Sequence, residues 1–473
     1  MTPRIVPTPF APPGTPGAGK PRRVSPEVLD AILPGPGRDR LAAGEALVVT
    51  TGQQPGLFTG PMYTIYKALS AIGLAARLER ERRIPVVPVF WVAGDDHDFQ
   101  EANHATVLNA AGEPTRILLR ERPAEGPAWP LMRESCGPEI VPALDQLRTT
   151  TPDSEFKEAV LAWLLAAYRP EVSLADAFAR ALHALLGARG LAVLRPYEAS
   201  AKRVMTPWLL RGLELTLPDG LSPVLLEASL GRDRLRPDGG GFVTRRSGER
   251  FDRAALERIA AESPDRLSPN VLLRPVVEAA LLPTVAYLAG PGELQYLPEA
   301  GPLYQALGVV PQTPVPRWSG LLVEGRVDRV SDKHHLQMGD FAGPPGALEA
   351  RVVREQLPPE VALALDALRR EMTDAYSRLA AGVARLDATL ERTVESARNA
   401  ALAGTHDIEK RLVAALKRAN EALVGQLTRA RASLYPDGVP QERVLTYASM
   451  GIRYGPPLLT ALEDEVARWA TTS

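Results

Sequence analysis

Four short apolar runs, each ending in a polar or glycine-rich stretch, constrain this chain more than any other feature. Ala46-Leu-Val-Val-Thr50 leads into Thr51-Gly-Gln-Gln-Pro-Gly-Leu-Phe-Thr-Gly-Pro61, and the run Ile84 to Ala93 leads into Gly94-Asp-Asp-His-Asp-Phe-Gln-Glu-Ala-Asn-His104. Leu191 to Leu194 and Pro283 to Leu288 follow, the first ending in Arg195-Pro-Tyr-Glu-Ala-Ser-Ala-Lys-Arg203 and the second in Ala289-Gly-Pro-Gly-Glu293. Near-continuous apolar runs suit strands buried on both faces, so the pattern predicts a parallel sheet between helices and argues against an all-helical bundle or a β-sandwich. Between the first two runs, Met62, Ile65, Leu69, Ile72 and Ala76 step by three and four behind Pro61, the signature of a helix that begins there. Strand, helix and strand then make a right-handed βαβ unit. All four polar stretches reach the carboxyl edge of the sheet, where open α/β sheets bind ligands. Pro85 and Pro88 predict a strand start or an irregularity in the second run.

The chain of 473 residues divides by composition. Residues 1–40 form a proline- and glycine-rich arm that wraps the surface or is disordered, and residues 41–345 form the α/β core. Within the core, 219–270 reads as an inserted module of short strands and turns, and Leu321 to Lys333 reads as an amphipathic helix. Residues 346–436 are helical: Val361, Leu365, Leu368, Met372, Ala375, Leu379, Val383, Leu386, Leu390 and Val394 keep a heptad seam. After an interruption at Gly404-Thr-His406, the seam resumes from Ile408 to Ala430, which predicts an antiparallel coiled-coil hairpin. Such a hairpin serves either dimerisation or an arm within one subunit. Residues 437–473 return to the core.

The 55 basic and 56 acidic residues nearly cancel, so no electrostatic footprint for nucleic acid or an anionic membrane surface is present. The lone Cys136 excludes an internal disulfide and a cysteine-rich zinc site. No apolar run approaches the ~20 residues of a membrane span, and the N-terminal stretch lacks a signal-peptide core, so a cytoplasmic location is expected.

The strand-end stretches carry the chemistry. Gly52, Gly56 and Gly60 free backbone amides ahead of a helix start, which predicts a phosphate or carboxylate site, with Gln53 and Gln54 adding donors and acceptors that a tight turn does not require. This is neither a P-loop nor a dinucleotide-binding fingerprint. Asp95, Asp96 and Asp98 form a candidate magnesium site, and His97 is a candidate base. If the segment is helical, His97, Glu101 and His104 share a face that suits zinc, a less favoured reading. Gly290, Gly292 and Glu293 offer a second amide cluster, and Asn270 and Arg274 lie one element earlier, with Arg274 suited to clamp a carboxylate or phosphate. On the residues alone, an adenylate-forming enzyme or other small-molecule nucleotidyltransferase and a nucleotide-binding coiled-coil scaffold both remain open.

Taken in order, the segment 51–61 with Tyr63-Thr-Ile-Tyr-Lys67, Asp96-His-Asp-Phe99 with Asn103-His104, Asn270 with Arg274-Pro275, Gly290-Pro-Gly-Glu293, Pro314-Val-Pro-Arg317 and the tail Pro436-Asp-Gly438, Gln441-Glu-Arg-Val444 and Tyr454-Gly455 resemble the cysteine-adding family of bacillithiol biosynthesis, BshC, over nearly the whole chain. The resemblance implies a Rossmann-type parallel sheet core with small inserted connecting modules and a C-terminal antiparallel α-helical coiled coil that makes a homodimer. It implies a cytoplasmic carbon-nitrogen ligase that joins the carboxyl of cysteine to the amine of glucosaminyl malate. It also carries Tyr63, Asn103 and His104 into the expected binding set, beside Asp96, His97 and Asp98 as the expected catalytic group. Amide formation from a free carboxylate needs activation, as an acyl adenylate or acyl phosphate, so ATP with magnesium is the expected cofactor.

Overall fold

Five parallel strands form the centre of the structure, a computed structural model that describes residues 2–8, 12–123 and 125–472; positions 1 and 9–11 of the expected arm lie outside the described residues. In chain order they are β1 (Leu47–Gln53), β2 (Val86–Val92), β3 (Ala192–Leu194), β4 (Thr284–Ala289) and β5 (Thr313–Pro316). Their spatial order is β5-β4-β1-β2-β3, and every neighbouring pair is parallel. Strand order therefore reverses between β1 and β4, the topological switch point at which a Rossmann sheet opens a crevice.

Alternation along β2 shows why the runs carry apolar residues on both faces. Val87, Val89 and Trp91 join one core cluster with Leu209, Leu273 and Val276, while Phe90 and Val92 join another with Ile65, Leu69, Phe178 and Leu462. Helix α1 (Tyr63–Arg82) follows β1 and packs beneath the helix Pro456–Ala470, which belongs to the returning C-terminal segment. Gly73 lets the two approach, since a Cβ there would lie 3.0 Å from Cγ1 of Val466. The prolines of the second run do not break the strand. Leu47 N donates to Pro85 O, so the odd positions of β2 bond to β1 and Pro88 turns its missing N–H toward β3, which pairs only from Val89 onward.

The inserted module is a five-stranded antiparallel sheet, ordered Arg250–Asp252, Gly241–Thr244, Gly231–Asp238, Val224–Ala228 and Leu267–Pro269. Gly239 and Gly240, with φ of 55° and 91°, make the two-residue hairpin turn that such positive angles require. The described part of the arm wraps the core: Arg82 donates to the carbonyls of Pro16, Gly17 and Ala18, Arg77 donates to that of Gly14, and Arg4–Pro7 pairs antiparallel with Gly320–Val323. Gly320–Val323 is thus a buried strand, and the helix expected from Leu321 begins only at Gly325.

Two compact units result, residues 1–323 with 441–473 and residues 324–440. The helical unit begins at 324 rather than 346, because the helices Gly325–Lys333 and Ala347–Arg354 pack within it. Its hairpin joins α2 (Pro359–Val383) to α3 (Glu391–Ala419), with α4 (Glu421–Leu434) continuing. The chain reverses at 384–390, where Asp387 Oδ1 accepts from Thr389 N at 2.8 Å and Oγ1 at 2.7 Å, and not at Gly404, which lies inside α3. A helical glycine costs only about 1 kcal/mol against alanine, so a long helix absorbs it. The seam is consequently split: Leu365 and Val394 are buried, whereas Leu379 and Leu386 are 51% and 87% exposed.

Candidate active site

At the switch point the ends of β1, β2 and β4 surround a cavity of about 400 Å³, within the range of small-molecule sites. Each wall follows from local sequence.

The β1 wall comprises Gly52, Gln53 and Gln54. A Cβ on Gly52 would lie 3.0 Å from the Trp91 carbonyl oxygen and 3.6 Å from Nη1 of Arg274, so glycine permits the close approach of β2 and of the guanidinium. Lys67, in α1, is buried beneath it; Nζ donates to Gly52 O at 2.8 Å and Gln53 Oε1 at 3.1 Å and pairs with Glu293. Gln53 Nε2 donates to the Tyr63 hydroxyl at 3.1 Å, and Gln54 Nε2 to Asp98 O at 2.7 Å. Burial, then the Glu101 carboxylate, pushes the Tyr63 phenol up to about 12, so it stays protonated at neutral pH.

The β4 wall is a hydrogen-bonded chain. Thr50 Oγ1 donates to Glu278 at 2.5 Å, Arg274 Nη1 donates to Glu278 at 2.9 Å, and Arg274 Nη2 donates to Tyr287 Oη at 2.9 Å. Tyr287 in turn donates to Glu293 Oε1 at 2.6 Å, and Gly290 N donates to Glu293 Oε2 at 2.7 Å. Burial alone would raise Glu293, but the Lys67 ammonium and the Gly290 amide outweigh it and hold the carboxyl below its usual range. Asn270 lines the cavity and starts the following helix, its Oδ1 accepting from Leu272 N at 3.1 Å and Leu273 N at 2.8 Å.

The β2 wall presents Asp95 and Asp96. Lys202, fully buried, donates to Asp95 Oδ1 at 2.7 Å and to Leu267 O at 2.8 Å, tying the β2 end to the inserted sheet. Asp96 Oδ1 accepts from His97 N at 2.7 Å and stands 3.9 Å from Nη1 of Arg232. Burial, then the Arg232 guanidinium, lowers the His97 imidazole, which is therefore neutral at pH 7.

Gly52, Gln53, Gln54, Tyr63, Asp95, Asp96, Asn270, Arg274, Gly290, Gly292 and Glu293 thus come together, although the strand ends stand far apart in sequence. The remaining expected residues do not line the cavity. His97 stands just behind Asp96, with Nδ1 3.8 Å from its Oδ1. Asp98 caps the short helix Phe99–Ala102, Asn103 is fully buried and donates to Arg120 O at 2.9 Å, and His104 opens the strand His104–Leu108. The latter half of the first loop is structural as well. Gly56 O accepts from the Tyr168 hydroxyl at 3.0 Å, Thr59 N donates to that hydroxyl at 2.9 Å, and a Cβ on Gly56 would meet Gly60 Cα at 2.9 Å.

The zinc expectation is corrected, and the magnesium candidates do not converge. The segment is not one helix, so His97, Glu101 and His104 share no face, and Asp95, Asp96 and Asp98 are turned to Lys202, to their own turn and to a helix cap. Among the described residues no three His, Cys, Asp or Glu side chains are grouped to hold a metal ion. The reading of the sequence passed over Lys67, Lys202, Tyr287, Arg232 and Arg443 as site residues. One signal for the lysines was available: only 7 of the 55 basic residues are lysine, and Lys67 and Lys202 both fall within helical runs next to a strand end.

Comparison with known proteins agrees with this architecture. Residues 38–216 and 225–318 match the bacillithiol biosynthesis BshC N-terminal Rossmann-like domain, and residues 320–469 match the BshC C-terminal coiled-coil domain. Relatives described as "Putative cysteine ligase BshC" include those of Salinibacter ruber (34% identical, covering 88% of this chain and 80% of the relative), Heliobacterium modesticaldum (32%, 91% and 83%) and Symbiobacterium thermophilum (31%, 90% and 83%). No helix among the described residues is long and apolar enough to cross a membrane. With a Rossmann sheet, its switch-point cavity and a separate coiled-coil unit all in register with these matches, the chain belongs to the BshC family.

Proposed function

We propose that this protein is a carbon-nitrogen ligase of bacillithiol biosynthesis that joins the carboxyl group of L-cysteine to the amine of glucosaminyl malate, acting in the cytoplasm as a homodimer held by its coiled coil. The observation that carries the reading is the charged cavity: Asp95 and Asp96, with Arg232 beside Asp96, stand on one wall, and Lys67, Arg274, Arg317 and Arg443, with Glu293 beside Lys67, on the others. Acids of this kind hold an ammonium group, and the cations hold carboxylate or phosphate oxygens. Relatives similar over 88% and 91% of this chain carry the name "Putative cysteine ligase BshC".

ATP with magnesium would activate the cysteine carboxyl. The cationic walls fit its phosphates, whereas the three aspartates do not fit a protein-built magnesium cage, so the ion would arrive on the phosphates with its water shell. The attacking amine must lose a proton. Asp96 faces the cavity to orient the ammonium, and the neutral His97, outside the lining with Nδ1 3.8 Å from Asp96 Oδ1, takes that proton by relay through the Asp96 carboxylate near pH 7. Arg274, locked between Glu278 and Tyr287, presents a fixed guanidinium that needs no reorganisation when an oxyanion arrives. The dimer reading is supported by the exposed apolar stripe on the hairpin, including Leu368, Leu379 and Ile408.

The test is direct. Purified protein incubated with cysteine, glucosaminyl malate, ATP and magnesium is expected to yield the amide product by mass spectrometry. No product, alongside turnover of an unrelated acid, would overturn the assignment.

A further inference from the structure

Five cationic side chains line the cavity, and four of them have carboxylate partners. Lys67 pairs with Glu293, Arg274 with Glu278 at 2.9 Å, Arg317 with Glu442 at 2.6 Å, and Arg232 with Asp96 at 3.9 Å. Arg443 has no carboxylate partner among the described residues, and it is exposed.

Its position is nevertheless built. Gln441 and Glu442, the two residues before it, are buried. Gln441 Oε1 accepts from Leu322 N at 2.6 Å, and its Nε2 donates to Leu322 O at 3.3 Å. Glu442 accepts from Arg317 Nη1 at 3.1 Å and Nη2 at 2.6 Å, and from Ser319 Oγ at 2.5 Å. The returning segment is therefore stitched to the residues just after β5 and to the strand Gly320–Val323, and the next side chain is presented to the cavity that Tyr63 also lines. A guanidinium carries five N–H donors in a planar fork that matches an oxyanion. Among the described residues no carboxylate takes up that capacity here.

We infer that Arg443 is a specificity-determining residue that grips a carboxylate of the amine-bearing substrate, so that the substrate lies with its anionic end at the C-terminal segment and its amine at Asp95 and Asp96. The chemical class is an amine whose far end carries a carboxylate. The inference takes the reaction from the function proposed above, but the grip itself is a binding property. A nucleotide phosphate shares the oxyanion chemistry, and the experiment separates the two sources.

Calorimetric titration of the full chain with L-malate and, separately, with pyrophosphate tests it, using Arg443→Ala and Arg443→Lys beside the native protein. The alanine variant is expected to bind malate about 10- to 100-fold more weakly, the lysine variant to recover part of the loss, and pyrophosphate affinity to change by less than about twofold. In steady state the KM for glucosaminyl malate rises while kcat at saturation holds. Unchanged malate affinity in Arg443→Ala, no malate binding to the native protein, or loss of pyrophosphate affinity in place of malate would each overturn the inference. Because the titration needs no turnover, native protein that makes no amide would remove the proposed reaction and leave this result to stand or fall alone.

Discussion

The stretches that follow β1 and β2 are built alike, and within each the first residues differ sharply from the last. At the end of β1, Gly52 to Gln54 face the cavity, whereas Gly56 and Gly60 shape a turn packed on Tyr168. After β2, Asp95 and Asp96 face it, whereas Asp98, Asn103 and His104 build a cap, a buried brace and a strand. Proximity to the strand end, not polarity, separates the two halves. A strand end delivers only its last residues and about the next four to the sheet edge, and the chain must then turn away and satisfy its own backbone.

Substitutions can break that comparison, because the first residues should govern activity and the last ones stability. Asp96→Asn keeps an acceptor for His97 N but removes the charge at the cavity. Amide formation is expected to fall about 10²- to 10⁴-fold with a near-native unfolding midpoint, and activity retained within about tenfold would place the acid elsewhere. Asn103→Ala should do the reverse. It strips the side-chain bond to Arg120 O from a fully buried site, so urea unfolding should register a loss of about 2–3 kcal/mol, with KM values for all substrates unchanged. Asp98→Ala deletes a helix cap accepting from Glu101 N at 3.1 Å, and about 1 kcal/mol is expected by the same assay. A tenfold drop in kcat from either of these two variants would erase the distinction.

The smallest effect is a shift in pH dependence. Burial and Arg232 hold the folded His97 below the ordinary imidazole value of 6.5, so the neutral ring favours the fold above pH 6.5 and that contribution is lost as pH falls through the lowered value. The acid limb of kcat/KM should therefore lie below pH 6.5, and an NMR titration that finds the His97 ring protonated at pH 6.5 or above would contradict the packing described.

Much of the fold was legible because it depends on local pattern. The run Leu47-Val-Val, the three-four stepping from Met62 and the shorter strand Ala192–Leu194 each point to one element, and four such repeats leave few arrangements besides a parallel sheet. The coiled-coil turn was misplaced for an equally local reason. Gly404 looks like a breaker, yet a single helical glycine is cheap beside a long helix, and the Asp387 side chain capturing Thr389 decides the reversal. In the site, polarity drew attention to Asn103 and His104 as strongly as to Asp95 and Asp96, because composition does not record which way a turn points.

The linear order of residues was enough to indicate four of the five central strands, the helical hairpin and the family, since periodicity and motif order are properties of neighbours along the chain. Tertiary structure alone decided that Lys67 in α1 would meet Glu293, that Lys202 would meet Asp95, and that Arg443 would arrive at the cavity lined by Tyr63 after the chain had passed through a separate helical unit. Those encounters join positions hundreds of residues apart. They exist because burying both faces of one sheet forces the strand ends, and the charges that must find partners there, into a single crevice.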